Sequence, residues 1–205
     1  PLIHGALDKA SYVEDIIKKF SPVALKFHSF SSGFFKEDVK PELVEAIRYY
    51  DVPLILHTSV YAYNDGYGFE TKYWRNKCSP NDWAMFLLEN NLRGVLNHGA
   101  CLDTEITNLV NKCDNIMIGI GPDLDISLDP YKVLTPREEY LKRGYLNILK
   151  ELVNPEKLLF DIDFNWNTDN HGNIDDKSIG RILNTWSYSD SEKILYKNAK
   201  NFYKI

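Results

Sequence analysis

Four short apolar segments of this chain end in a residue that can bind a metal ion or move a proton. The residues at these ends are His28, His57, His98 and Asp163. Apolar runs of about four to eight residues are typical of strands buried on both faces of a parallel sheet. Zinc prefers neutral imidazole and carboxylate ligands in catalytic sites, where one position stays open for water. The pattern therefore indicates a candidate metal site at the carboxyl ends of buried strands.

Each of these residues also has a structural interpretation. A histidine at the end of a buried strand can hydrogen-bond a loop carbonyl, and an aspartate there can cap a loop or a helix. His98 is followed by Gly99, which permits a tight turn that would explain the local pattern by itself. Lys26, on the strand that ends at His28, either faces the site or extends its stem along apolar surface. The residues alone leave both interpretations open.

A long segment without hydrophobic periodicity follows the strand that ends at His57. It runs from Ser59 to Cys78 and is rich in aromatic side chains. Loops of this length in compact domains are usually functional. In one interpretation it closes over a substrate, with Trp74 stacking on the substrate and Arg75 holding a carboxylate group. In the other it forms a packing or dimer surface, because aromatic enrichment serves both purposes.

Composition excludes several classes of protein. The formal net charge of the 205 residues is −5, and no cluster of Lys and Arg offers a surface for nucleic acid or anionic membranes. The three cysteines show no C-x-x-C spacing, which argues against a disulfide framework and a cysteine zinc site. No apolar stretch approaches the roughly 20 residues that span a bilayer, and the first residues lack the basic start of a signal peptide. We therefore expect a reducing, cytoplasmic compartment.

Strands and helices alternate along the chain, which predicts right-handed crossover connections and a parallel sheet. An open doubly wound sheet binds ligands at one switch point, whereas a (β/α)8 barrel brings the carboxyl end of every strand to one rim. Ligand-type residues on four strands favour the barrel. We predict an α/β protein of the TIM-barrel type, with residues 1–205 forming a single domain. The predicted strands begin at Leu2, Val23, Leu54, Gly94, Ile116 and Leu158.

Six predicted strands are fewer than the eight of a closed barrel. We expect two further strand–helix units before Pro1, so that this chain is an N-terminally truncated barrel. An incomplete barrel has unpaired strand edges, which associate with other chains unless something covers them. The expected partners are therefore a small-molecule substrate, together with either a missing N-terminal segment or further copies of the chain in a homo-oligomer.

Capping residues predict where the helices begin. Pro41 suits a first helical position, and Ser79 and Asp103 suit N-caps. Capping boxes at Thr135-Pro136-Arg137-Glu138 and Ser189-Asp190-Ser191-Glu192 predict two more helix starts. The second of these opens the last helix of the chain.

Taken in order, these segments resemble the amidohydrolase-related metal-dependent hydrolases of the TIM-barrel fold, sometimes called the second amidohydrolase group. The resemblance runs over most of the chain. Leu25-Lys26-Phe27-His28 is similar to the family's KxH on the fourth strand, and Pro53-Leu54-Ile55-Leu56-His57-Thr58 to its fifth-strand histidine. Asn97-His98-Gly99-Ala100 is similar to its HxGG turn, Leu158–Phe164 to its iLFGSDyP, and Glu192–Ala199 to its eKIlyeNA terminal helix.

The resemblance implies roles for particular residues. His57 and Asp163 would be metal ligands, and His98 would be a second ligand or a catalytic base. The metal would be a divalent ion, zinc above all, that activates a water molecule, and Asp163 would also accept a proton from that water. In relatives, a lysine such as Lys26 can carry a carbamate that bridges metals. Lys26 and His28 join Trp74 and Arg75 as candidate substrate-binding residues.

Three departures from the family pattern leave two functions open. The family's first strand carries an H-x-H pair of ligands, and no H-x-H occurs in this sequence. Asp161-Ile162 stands in place of Gly-Ser, and Phe164-Asn165 in place of an aromatic residue and proline. One expected function is a metal-dependent hydrolase, or a related decarboxylase, acting on a small organic substrate. The alternative is a non-catalytic barrel that serves as a ligand-binding or assembly module.

Overall fold

The computed structural model describes residues 1–58, 78–120, 144–161 and 177–205. Its centre is a sheet of six parallel strands, hydrogen-bonded in the order in which they occur along the chain. The strands are β1 (Leu2–Ile3), β2 (Leu25–Phe27), β3 (Leu54–Leu56), β4 (Gly94–Leu96), β5 (Ile116–Ile120) and β6 (Leu158–Phe160). A doubly wound sheet reverses its strand order at a switch point, whereas a barrel keeps the sequential order seen here. The predicted α/β fold of the TIM-barrel type is confirmed.

Helical segments connect and flank the strands. They are α1 (Ala10–Phe20), α2 (Ser29–Ser32), α3 (Pro41–Tyr49), α4 (Pro80–Glu89), α5 (Thr104–Val110), α6 (Tyr145–Leu152), α7 (Lys177–Thr185), α8 (Tyr188–Glu192) and α9 (Asn198–Tyr203). Shorter turns of 3-10 helix cover Lys36–Asp38, His98–Leu102 and Pro155–Lys157, and a π-helical turn covers Lys193–Lys197. None of the described helices has the length and apolar character that crossing a membrane requires.

Three of the predicted helix starts are found in the structure, two of them with a side-chain cap. Pro41 occupies the first turn of α3, where its missing N–H has no helical partner to lose. The Ser79 hydroxyl accepts a hydrogen bond from the Asp82 amide of α4 at 3.3 Å. The Asp103 carboxylate accepts hydrogen bonds from two amides of α5, at 2.9 and 3.1 Å. These residues determine where α3, α4 and α5 begin.

The predicted start of the last helical region at Ser189 is wrong. The N-cap is Ser187, whose hydroxyl accepts a hydrogen bond from the Asp190 amide at 3.2 Å and donates to its carboxylate at 2.8 Å. Ser187 therefore offers its own capping pair two residues earlier. The helix predicted to begin at Thr135, and residues 162–164 of the last predicted strand, lie outside the described residues.

The two faces of the sheet differ in what covers them. The outer face packs against the helices and forms the main hydrophobic core. The opposite face, here called the inner face, carries the alternate residues of the strands. Strand register places these residues side by side: Lys26, Ile55, Val95 and Met117 in one row, and Gly119 beside Leu159. In a barrel this is the side that faces the axis.

Helix α9 covers the amino end of the inner face. Phe202 of α9 packs against Val95, Met117 and Leu159 in a second hydrophobic cluster. At the first residue of α9, the Asn198 side-chain amide donates to the carbonyls of Pro155 and Leu158 at 2.7 and 2.8 Å. These contacts join the last helix to the start of β6.

A small ionic network closes the same end. Arg93, which immediately precedes β4, donates to the Asp51 carboxylate and the Asp51 carbonyl, both at 2.7 Å, and to the Phe202 carbonyl. Lys204 also pairs with the Asp51 carboxylate. We call Asp51, Arg93, Phe202 and Lys204 the base of the sheet.

Candidate functional site

Three polar residues follow directly on strands at the carboxyl end of the inner face. Each continues the backbone ladder by one hydrogen bond: His57 to Phe27 at 3.1 Å, Asn97 to Leu56 at 3.0 Å, and Asp161 to Ile120 at 2.9 Å. Because the ladder continues, the alternation of side chains continues too, and all three lie on the inner face. We call His28, His57, Asn97, His98 and Asp161 the rim.

Three imidazole rings from three neighbouring strand ends lie together at the rim. The His28 ring stacks on the His57 ring, with centroids 4.0 Å apart and an angle of 15° between the planes. The His98 ring meets His57 edge-on, with centroids 4.6 Å apart. Nε2 of His98 lies 3.0 Å from Nδ1 of His57. The structure thus brings together three residues that the sequence indicated separately.

The surroundings keep two of these imidazoles neutral at pH 7. Removal from water lowers the pKa of His57 well below its usual value, and positive charge on His98, His28 or Lys26 would lower it further. Removal from water, helped by the Lys26 ammonium, lowers the pKa of His28 to about 4. Neutral imidazole is the form that binds metal ions, so these pKa shifts favour ligation.

A strained turn carries His98. The φ angles of His98, Gly99, Ala100 and Leu102 are +58°, +60°, +48° and +56°. Left-handed backbone costs on the order of 1–3 kcal/mol for a residue other than glycine, and it persists only where the surroundings enforce it. At Gly99, a Cβ atom would lie 1.3 Å from the hydroxyl oxygen of the buried Tyr145. Packing of α6 against the turn is therefore part of what holds His98 over β3.

Asn97 connects three strands of the rim. Its carbonyl accepts a hydrogen bond from the Thr58 hydroxyl, next to His57, and its side-chain amide donates to the Asp161 carboxylate. Thr58 and Asn97 are almost fully buried, at 0% and 3% exposure. The amide reaches from β4 past β5 to the end of β6, so a single residue joins neighbouring and non-neighbouring strands.

Gly119 provides the space for this crossing. A Cβ atom at Gly119 would lie 2.5 Å from Oδ1 of Asn97 and 3.2 Å from the Val95 side chain. Among the described residues, Oδ1 of Asn97 has no hydrogen-bond partner, although it is buried. Such an atom costs about 1–3 kcal/mol. Sequence reasoning missed Thr58, Asn97 and Gly119; the available signal was a glycine inside an apolar strand, which indicates a close approach by another group.

The other candidate residues fall into two groups. Lys26 is half-buried on the inner face, and its charge acts on both His28 and His57. The candidates Trp74, Arg75 and Asp163 lie outside the described residues. The structure therefore gives no position for half of the predicted substrate-binding set or for the predicted carboxylate ligand.

His4 has a different role from the rim histidines. Its Nδ1 accepts from the amides of Ala6 and Leu7 at 3.3 and 3.2 Å, and its Nε2 lies 3.0 Å from the Ser32 carbonyl. Because Nδ1 accepts, Nε2 carries the proton and donates to that carbonyl. Both ring nitrogens of His4 thus hold loop backbone in place.

The spacing of the rim nitrogens permits metal binding. Two nitrogen ligands on one tetrahedral zinc ion lie about 3.3 Å apart, because each Zn–N distance is about 2.0–2.1 Å. The 3.0 Å between His57 and His98 is close to this value, and it also suits a direct hydrogen bond. Across the ranges that the structure describes, no group of three or more His, Cys, Asp and Glu side chains is arranged to hold a metal. The pair fits as two ligands, and a metal ion here needs others, for which Asp163 is the candidate from the sequence.

Solved structures with a similar fold cover nearly the whole chain. A structural-genomics crystal structure described as amidohydrolase II is similar over 99% of this chain and 68% of its own, with a TM-score of 0.62 and 11% identity. An amidohydrolase 2 from Bifidobacterium longum subsp. infantis has a TM-score of 0.52 at 10% identity, over 96% of this chain and 76% of its own. A Staphylococcus aureus protein assigned as an amidohydrolase has a TM-score of 0.52 at 14% identity, over 96% and 69%.

Sequence comparison adds nothing to this structural similarity, since no family model and no curated protein matches the chain. At 10–14% identity, the similarity to solved structures concerns the fold alone. It confirms the predicted resemblance at that level: the chain has an amidohydrolase-like fold.

Proposed function

We propose that the rim belongs to the active site of a metal-dependent hydrolase, or of a mechanistically related decarboxylase, that acts on a small organic substrate. The observation that carries the proposal is the 3.0 Å contact between the imidazoles of His57 and His98 at the carboxyl ends of adjacent strands. Enzymes of the barrel fold place their active sites at this end of the strands. The amidohydrolase-like fold supports the same assignment.

His57 and His98 are the described residues that would hold the metal, with Asp163 as the third ligand. Imidazole nitrogen and carboxylate oxygen together suit zinc best among the common divalent ions. When bound, such an ion lowers the pKa of a water ligand to about 7 and so supplies hydroxide near neutral pH. Removal of His57 from water prepares that ligand, because it keeps the imidazole neutral.

The remaining residues would orient the substrate and move protons. Asp163, or His98 where it does not ligate, accepts the proton of the attacking water. Lys26 and His28 flank His57 on the inner face, where the Lys26 ammonium suits a substrate with a carboxylate or another negative group. Trp74 and Arg75 would cover the same substrate. The other expected partner is a second copy of the chain or an N-terminal segment along the sheet edges.

The test is the metal content of the natural, full-length protein, measured by elemental analysis after purification without chelators. We compare it with the His57→Ala and Asp163→Ala variants. A third variant, His4→Asn, is the matched control, because it also removes an imidazole but one that only holds loop backbone. We expect about one zinc per chain in the native protein and in the control, and at least a tenfold loss in the other two.

Thermal unfolding of all four proteins separates loss of metal from loss of fold. His4→Asn is expected to lower the melting temperature while the metal content stays the same. Equal and negligible metal in the native protein and in every variant would rule out the metalloenzyme.

A second candidate is a non-catalytic barrel that binds ligands or assembles with other chains. One observation favours it: the His57 and His98 nitrogens are also close enough to hydrogen-bond each other directly. The lack of H-x-H would favour it as well if this sequence were the whole gene product. A strand ending in H-x-H, encoded upstream of Pro1, would favour the enzyme. Its absence from the natural gene, combined with a metal-free native protein, would favour the module.

A further inference from the structure

One residue outside the predicted ligand set connects the ends of β3, β4 and β6. Asn97 directly precedes His98, is held by Thr58 next to His57, and donates to Asp161, which precedes Asp163 by two residues. Each of its two connections is therefore made to a neighbour of a proposed metal ligand. Neither connection involves the imidazoles themselves.

The hydrogen bond from Asn97 to Asp161 depends on a residue in which this chain departs from the family pattern. Asp161 is the first residue after β6, at a position where the family pattern that the sequence resembles has glycine. With glycine there, Asn97 would have no carboxylate to bind. Gly119 is the third part of the arrangement, because a Cβ atom at that position would meet Oδ1 of Asn97 at 2.5 Å. The three residues form one unit that crosses β5.

The connection to Thr58 fixes the other side. The hydroxyl of Thr58 is fully buried and donates to the Asn97 carbonyl, immediately before the backbone turns through the left-handed residues His98 and Gly99. A strained turn keeps its geometry only while both of its ends are held. The Tyr145 hydroxyl fills the space beside Gly99, and Thr58 binds the residue that precedes the turn.

We propose that Asn97 is the positioning residue of the rim, setting the His57–His98 geometry through Thr58 and holding the end of β6 through Asp161. Its role in metal binding rests on the proposed function. Its role in the geometry of the two imidazoles does not, and it can be measured without metal. Residues that hold metal ligands from behind typically change metal affinity by about 10- to 100-fold when they are replaced.

The experiment uses the metal-free natural protein labelled with ¹⁵N at histidine. Long-range ¹H–¹⁵N spectra of its imidazoles report tautomers and hydrogen bonds, and single histidine variants assign the signals. Asn97→Leu removes the amide at nearly constant size. Thr58→Val removes only the hydroxyl that donates to the Asn97 carbonyl, and it tests that connection by itself if Asn97→Leu does not fold. The exchange of both groups, Asn97→Asp with Asp161→Asn, restores an amide–carboxylate hydrogen bond in the opposite direction.

We expect Asn97→Leu and Thr58→Val to shift the ring signals of His57 and His98 and to leave those of His4 unchanged. The exchanged pair should return the signals towards the native positions. Unchanged His57 and His98 signals in both single variants would overturn the proposal. Shifted signals that the exchanged pair fails to restore would also overturn it, because packing rather than the hydrogen bond would then set the geometry.

Zinc titration of the same proteins keeps this inference separate from the proposed function. We expect Asn97→Leu to bind zinc about 10- to 100-fold more weakly than the native protein, with recovery in the exchanged pair. A native protein that binds no zinc would contradict the proposed function, while the imidazole spectra would still decide the role of Asn97. Native binding with unchanged affinity in Asn97→Leu would contradict the inference alone.

Discussion

The base and the rim lie at opposite ends of one six-stranded sheet, and they differ in how their polar groups are paired. At the base, Arg93 has carbonyl and carboxylate acceptors for its donors, and Lys204 shares the same carboxylate. At the rim, three imidazoles crowd together, and a buried amide oxygen lacks a hydrogen-bond partner among the described residues. Left-handed backbone occurs at both ends, at Asp51 and Lys204 of the base and at His98 of the rim. The pairing of polar groups, rather than backbone conformation, therefore separates the two ends.

This difference separates stability from function. Backbone in a rarely populated conformation and buried polar atoms without partners lower stability, so a fold keeps them where another role requires them. The oxygen of Asn97 is a buried polar atom of this kind, and it lies next to the run of left-handed residues that begins at His98. Function in this chain is therefore expected at the rim, and stabilisation at the base.

The largest effect is expected from Gly99→Ala. The backbone would place the new Cβ 1.3 Å from the Tyr145 hydroxyl oxygen, which is a severe clash, and the φ angle of +60° is unfavourable for alanine. Either Tyr145 leaves its buried site or the turn changes conformation, and the loss should exceed about 3 kcal/mol. Urea unfolding followed by circular dichroism measures it.

Gly180→Ala is the matched control for that change. Gly180 lies inside α7, and a Cβ there would meet no atom within 4 Å. We expect a gain of about 0.5–1 kcal/mol, because alanine restricts the unfolded chain more than glycine does. Similar losses in the two variants would show that the rim turn is not especially constrained.

The next prediction concerns pH, in the metal-free protein. His28 has its pKa lowered from 6.5 to about 4 by removal from water and by the Lys26 ammonium, with a further effect from charge on His98. The unfolded chain therefore takes up a proton near pH 6.5 that the folded chain takes up only near pH 4. Stability contributed by the rim should fall as the pH drops through this interval. His57, next to His28, acts in the same direction.

The base should respond at lower pH. Burial alone would raise the pKa of Asp51, but hydrogen bonds from Lys204 and Arg93 outweigh it, and the pKa falls below 3.8. The stability that the ionised Asp51 carboxylate contributes is therefore fully present above its pKa in the unfolded chain. It is lost as the pH falls through its lower pKa in the folded chain. Chemical unfolding from pH 8 to pH 3 should show two separate declines. His28→Asn should reduce the upper decline, and Asp51→Asn the lower one; a single unaltered decline in both variants would contradict the assignment.

A smaller effect is expected from Arg93→Ala. It removes hydrogen bonds to Asp51 and Phe202, and we expect a loss of about 1–2 kcal/mol because the Asp51 carboxylate stays in contact with water. The imidazole signals of His57 and His98 should not move. Lys18→Ala, which breaks an exposed pair with Glu14, is the control and should leave stability unchanged. Shifted imidazole signals in Arg93→Ala would show that the two ends are coupled.

Most of the fold could be predicted from the sequence, because the strands are short apolar runs between helix caps. Ser79 and Asp103 predict two helix starts correctly, because an N-cap side chain binds amides only two or three residues further along the chain. The prediction of a helix start at Ser189 is wrong because Ser187 has the same side chain and an aspartate, Asp190, three residues later. Local signals of equal strength can be ranked only by the tertiary packing that follows them.

The site could be predicted in part. His57 and His98 were indicated as neighbours because parallel strands bring their carboxyl ends to one edge, and they lie in contact. The roles of Asn97 and Thr58 could not be predicted, since they depend on register and on a crossing above Gly119. Whether Asp163 ligates a metal, and whether Trp74 and Arg75 bind a substrate, stay predictions.

The absent side chain at Gly119 has an evolutionary consequence. Since a Cβ atom at position 119 would lie 2.5 Å from Oδ1 of Asn97, the Asn97 side chain would have to shift if Gly119 were replaced, and its contact with Asp161 would shift with it. Alanine at 119 would therefore be tolerated best together with a change at 97, which would leave the carboxylate at 161 without its amide donor. We therefore expect relatives either to keep Asn97, Gly119 and Asp161 together or to differ at all three positions.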